Sequence, residues 1–145
     1  MIDVWTFVRF LHVVGAALWV GGQLTLVLVV LPPLRRALSV EQRGVALKSV
    51  GRRFAMITMA GFLPTQIATG WLLAVDAGVT WASLTEPGYG RLLAAKLVLF
   101  ALVMVATSVH GIAQSKGRAA LARGASSAAL VGSLGVVLLA TGLAG

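Results

Sequence analysis

Two histidines and two strong bases interrupt stretches that are otherwise apolar: Arg9 and His12 in the first, Lys96 and His110 in the third. An imidazole in a hydrocarbon setting can ligate a metal, relay a proton or bridge two helices. A cation at such depth can grip a carboxylate or phosphate on a ligand, so intramembrane charge marks a candidate site. The chain contains no cysteine and only four methionines, which removes disulfides, thiolate metal sites and iron–sulfur ligation. No nucleophile triad, phosphate loop or zinc motif is present, so no catalytic residue is assigned.

Helical spacing groups these side chains. Arg9, His12, Ala16, Trp19 and Gln23 recur every three or four residues and share one face, with Gly15, Gly21 and Gly22 beside it allowing close backbone approach. Lys96, Phe100, Val103, Thr107, His110 and Gln114 form a similar stripe, and Met59, Gln66 and Thr69 form a third. At ~1.5 Å per residue, His12 lies about 10 Å and Lys96 about 7 Å below the outer end of their helices, while His110 lies about 5 Å from the inner end. An outer layer of Arg9, His12 and Lys96 and an inner layer of Met56, Met59 and His110 follow. The histidines then differ in depth by about 20 Å, too far for one metal whose bonds to imidazole are about 2 Å. A bis-histidine haem within one subunit is disfavoured; each histidine would serve its own site, or a second copy of the chain would supply another ligand.

The elements that must hold these residues are four apolar segments, at about 4–31, 54–75, 92–113 and 125–144. Roughly 20 helical residues cross a ~30 Å hydrocarbon core, and lipid-exposed backbone must satisfy its own hydrogen bonds. A hydrophobic fraction of 59% and a mean hydropathy of +0.96 leave no room for a soluble domain. The expected fold is an all-α integral-membrane four-helix bundle of one domain, antiparallel and up-down. The net charge of +8 is distributed as topology: Arg35, Arg36, Arg43, Lys48, Arg52 and Arg53 fill the first connection and Lys116, Arg118 and Arg123 the third. By the positive-inside rule both termini lie outside, and nucleic-acid binding is not expected. Met1-Ile2-Asp3 lacks the basic start of a signal peptide, so the first segment reads as a retained span.

The connections carry their own signals. Pro32-Pro33 is expected to stop the first helix, and Ser39 with Gln42 has the form of a capping box, predicting a short helix through Val45 and Leu47 on the inner membrane surface. Its basic residues favour anionic lipid headgroups. Residues 76–90, with Trp81, Pro87, Gly88, Tyr89 and Gly90, read as a turn-rich outer loop with aromatic anchors, or as a lid. Pro64 removes the amide that would bond Ala60 and predicts a kink. Gly124, Ala128 and Gly132 make small-xxx-small steps suited to tight packing, which makes the fourth helix scaffold.

The string from Leu11 through His12 and Trp19 to Gly22, then Leu31-Pro32-Pro33-Leu34-Arg35-Arg36, Gly51-Arg52-Arg53-Phe54, Thr69-Gly70 and Ala95-Lys96-Leu97, resembles the CopD-like family of bacterial copper-resistance membrane proteins. That resemblance implies copper transport or delivery in the bacterial cytoplasmic (inner) membrane, with a copper protein as partner. Cu(I) favours thioether and imidazole ligands, which makes His12, His110, Met56 and Met59 the candidate metal ligands. The first-span histidine, and a lysine followed by a histidine in the third, also resemble the HemJ-type protoporphyrinogen oxidases. This second resemblance implies haem b, with His12, Trp19, Gln23 and Gln66 around the cofactor and Arg9 or Lys96 meeting propionates. The chain would then be a haem-dependent oxidoreductase; under the first reading it is not an enzyme. A third reading is an accessory subunit whose small-residue faces dock onto a respiratory or copper-enzyme complex.

Each residue has a plainer alternative. Lys96 and Arg9 lie within about two turns of the interface and can snorkel to outer headgroups. The histidines can simply bridge helices, the methionines pack, and the tryptophans anchor at the interface.

Overall fold

Apolar stretches that must close their own backbone hydrogen bonds become helices, and the computed structural model, which describes residues 3–143, contains four long ones. They run Val4–Ala37 (α1), Val40–Asp76 (α2), Tyr89–Ser115 (α3) and Ala119–Leu143 (α4), each long and apolar enough to cross a membrane. No strand occurs among the described residues. The outward surface is apolar, with Leu18, Leu28, Ile67, Val131 and Leu138 each more than three-fifths exposed. Such a surface suits acyl chains rather than water. The protein is therefore all-α, with the make-up of a multi-pass membrane protein.

The described chain falls into two compact units, one ending at Gly78 and the other starting at Val79. The first is an antiparallel hairpin of α1 and α2, as the pairs His12 with Thr69, Trp19 with Phe62, and Gly22 with Phe54 require. Asp3 caps α1 by accepting from the Thr6 backbone N–H at 2.8 Å. The expected capping box at Ser39 is present, with Gln42 N–H donating to Ser39 Oγ and Ser39 N–H to Gln42 Oε1.

Two sequence expectations are corrected here. Pro32-Pro33 does not stop the first helix: a π-helical turn at Leu26–Val30 precedes the prolines, Leu31 N–H bonds to Leu26 carbonyl, and helix resumes at Leu31–Ala37. The wider turn absorbs the missing proline amides by placing the prolines at the start of a new helical segment, where amide hydrogens are dispensable. The same device precedes Pro64, with a π turn at Thr58–Phe62 and helix resuming at Leu63. The expected surface helix is not a separate element either. Val40–Ile57 runs straight into the second span, because no proline lies between Ser39 and Phe54, and isolated glycines, here Gly44 and Gly51, are tolerated within a helix at a cost of ~1 kcal/mol each. Its residues before Phe54 extend the span by about 20 Å.

The second unit is a tighter hairpin of α3 and α4. A Cβ on Gly132 would stand 2.5 Å from Val103 Cγ2, and one on Gly135 2.9 Å from Leu99 Cδ2. Helix backbones approach this closely only over glycine. Gly124, the first of the expected small steps, faces open space instead. Val103, Ala113, Ala122 and Ser133 are almost fully buried. Between the helices Gly117 takes φ +68°, while Arg118 N–H bonds Ala113 carbonyl and Gly117 N–H bonds Gln114 carbonyl. This doubly bonded stop, with glycine in the left-handed region, turns the chain within three residues. In the loop before α3 Thr80 and Ser83 cap one another through both side chains, and Trp81 is 82% exposed, as an interfacial anchor would be.

Candidate functional site

α1 presents His12 to α2 at Thr69, where the hydrogen-bond chain fixes the imidazole. Thr69 Oγ1 donates its one proton to the Thr65 carbonyl at 2.6 Å. Its oxygen is then the acceptor for His12 Nδ1–H at 2.8 Å. In a neutral ring the lone pair must therefore reside on Nε2. A ring anchored this way bridges the two helices, and the same anchoring is also found where the other nitrogen binds a metal.

The backbone of the same residue is also held. Gln66 Nε2 donates to the His12 carbonyl at 2.8 Å, and the Gln66 side chain is buried. Two glycines make space for this. A Cβ on Gly15 would lie 2.6 Å from Gln66 Nε2, and one on Gly70 would lie 3.3 Å from His12 Cε1. About two turns further along α1, Trp19 stacks on Phe62 of α2 with ring centroids 4.6 Å apart and planes 9° from parallel. Trp19 is 6% exposed. Its Nε1–H is buried with no acceptor among the described residues. A buried indole N–H is rarely left so, since the unmade bond costs ~1–3 kcal/mol.

The structure joins three of the expected residues, His12, Trp19 and Gln66, into one α1–α2 seam. Gln23, on the same face, is half-buried. Arg9 is exposed near the start of α1; the Asp3 carboxyl is held below its ordinary value chiefly by the Thr6 backbone N–H, with the Arg9 charge as a lesser cause. Met56 and Met59 are 63% and 66% exposed, so both thioethers face outward from the hairpin. Among the described residues, no group of three or more histidine, cysteine, aspartate or glutamate side chains is placed to hold a metal ion.

Lys96 and His110 belong to the second unit. Lys96 is half-buried on α3. His110 Nδ1–H donates to the Ala122 carbonyl of α4 at 2.8 Å, which makes it a helix bridge, the plainer of the two sequence alternatives.

Sequence reasoning placed Thr69 on the right face without assigning it a role, and missed Thr65, Phe62 and Gly70. Part of this was available: a threonine inside a helix bonds back to the backbone carbonyl four residues earlier, whatever residue stands there. Phe62 gave no such cue, since an aromatic residue in a span reads as packing.

Comparisons with family models, with curated proteins and with solved structures return no match to this chain.

Proposed function

We propose that the protein is a membrane-embedded haem-binding protein, with His12 Nε2 as the axial ligand of the iron. The observation that carries this reading is the buried Trp19 Nε1–H, without an acceptor among the described residues, about two turns from an imidazole that Thr69 anchors through Nδ1; His110 is anchored in the same way but has no such neighbour among those residues. Haem brings four ligands to its iron, so one imidazole suffices, whereas copper would need further soft donors. The donor set therefore favours haem, because the thioethers of Met56 and Met59 point outward and, among the described residues, no cluster of metal-binding side chains accompanies His12. The Trp19–Phe62 stack supplies an apolar aromatic wall, and the buried Trp19 Nε1–H suits an acceptor atom on a ligand. When bound, haem would supply one-electron chemistry; the chain's part is to ligate, orient and exclude water.

Copper delivery is the second reading, favoured by the CopD-like strings distributed along the chain. In both cases the basic residues around the turn from α1 to α2 argue for termini outside, and the family-like strings for a bacterial inner membrane. The third reading, a cofactor-less accessory subunit, gives the His12 chain no task beyond joining α1 to α2.

The test is an absorption spectrum with metal analysis on the detergent-purified protein. A Soret band lost in His12→Ala and kept in His110→Ala is the expected result. Stoichiometric copper without a Soret band would transfer the proposal to copper handling, and a colourless, metal-free protein purified from haem-replete cells would overturn both.

A further inference from the structure

A second feature of the first unit lies well away from His12. Between α1 and α2, near the basic end of the hairpin, an open groove of about 550 Å³ is lined by Leu18, Gly21, Gly22, Phe54, Ile57 and Arg53, among others. Its chemistry is divided along its length. Arg53 is the one charged residue of the lining, and no carboxylate shares it. Everything else except Thr25 is apolar or glycine. The floor is open because Gly21 has nothing within 4 Å of where a Cβ would stand, while Gly22 lets the Phe54 ring lie against α1 and close one end.

Direction matters as much as composition. Arg53 is the last residue before the apolar stretch of α2 begins at Phe54, so its guanidinium sits at headgroup level. From there the α1 wall runs from Leu26 to Ala17, about 13 Å toward the bilayer interior. A guanidinium recognises phosphate through paired N–H donors, and an apolar trough below it matches the upper part of an acyl chain. We propose that this groove binds one anionic phospholipid, its phosphate on Arg53 and one acyl chain laid over Gly21 and Gly22. The charge complementarity selects an anionic headgroup, and the exposed apolar walls keep company with lipid in any case. This inference is independent of the haem reading, since no lining residue takes part in the His12 chain.

The test is native mass spectrometry of the full chain in detergent, with dioleoyl-phosphatidylglycerol or dioleoyl-phosphatidylcholine added. One phosphatidylglycerol should be retained in preference to phosphatidylcholine. A cation near the membrane surface contributes ~1 kcal/mol toward an anionic lipid, so Arg53→Gln should lower phosphatidylglycerol retention about fivefold and leave phosphatidylcholine unchanged. Gly21→Leu, which fills open space, should lower retention of both lipids. Arg36→Gln, an exposed cation outside the groove, is the control and should have no such effect. Equal losses from Arg36→Gln and Arg53→Gln would reduce the effect to general surface charge and overturn the proposal. So would undiminished retention in Gly21→Leu, or a dimer in the wild type that Gly21→Leu converts to a monomer, which would assign the groove to a second copy of the chain.

Discussion

Gly15 is the position at which the His12 seam is most exposed to a small change. In Gly15→Ala the new methyl carbon would stand 2.6 Å from Gln66 Nε2, so the amide has to swing aside. The bond it makes to the His12 carbonyl is then lost. Interhelical hydrogen bonds in membranes contribute ~0.6 kcal/mol on average and up to ~1.7. The stranded amide is buried, which brings the whole cost of losing that bond to ~1–3 kcal/mol. Alanine also improves helix propensity by up to ~1 kcal/mol, and the same gain applies to Gly21→Ala, where nothing lies within 4 Å. The propensity effect cancels between the two variants, leaving Gly15→Ala less stable than Gly21→Ala by about 1–3 kcal/mol, or about five- to 150-fold in the unfolding equilibrium. Unfolding by sodium dodecyl sulfate in mixed micelles, followed by tryptophan fluorescence, measures this directly. In a Gln66→Ala background the penalty of Gly15→Ala should vanish, because the obstructing amide is gone. Equal stability of the two glycine variants, or an unchanged penalty in that background, would refute the account of the seam.

Other perturbations test other parts of the structure. Thr69→Val keeps the shape but removes the oxygen that accepts from His12 Nδ1–H; ligand affinity at His12 should fall about 10–100-fold by titration, and Thr69→Ser should retain it. Gly132→Ala forces a carbon to within 2.5 Å of Val103 Cγ2, itself 2% exposed, and should cost about 1–3 kcal/mol in micelle unfolding, with relief from Val103→Ala. The Asp3 carboxyl is held below its ordinary value of 3.8 mainly by the Thr6 backbone N–H. A depressed carboxyl stabilises above its unfolded value and loses that contribution as pH falls through the folded one. Amide exchange in the first turn of α1 should therefore quicken relative to Asp3→Asn as pH drops below about 4, and parallel profiles would remove the cap from the argument.

The span pattern was legible because hydropathy and length alone decide it: every one of the four apolar segments is helical across the described residues. Helix ends were less legible. The dipeptide Pro32-Pro33 signals a stop in water-soluble helices, and no local pattern announces the π turn that lets α1 continue. The basic stretch after Ser39 has enough polarity to read as a surface helix, while its lack of a breaker before Phe54, the feature that decided the outcome, is an absence rather than a motif. At the site, the three- and four-residue spacing that groups His12, Trp19 and Gln23 on α1 brought His12 and Trp19 onto the seam. The residues that receive them depend on the rotation of α2 about its own axis, which the π turn at Thr58–Phe62 resets. Thr69 and Gln66 could be placed on a common face, yet the pairing of Thr69 with the His12 ring and of Gln66 with its carbonyl required coordinates.

The unbroken course of α2 from Val40 to Asp76 has a mechanical corollary. A helix is a screw, so one extra residue inserted between Gly44 and Val50 would turn the preceding cationic segment by about 100° relative to Thr69 while advancing it only ~1.5 Å. Seven extra residues would bring it back to within about 20° of its original heading. Segment length in such a hairpin is thus a matter of angular phase as well as reach, and its basic end cannot be re-spliced one residue at a time without re-aiming its charges.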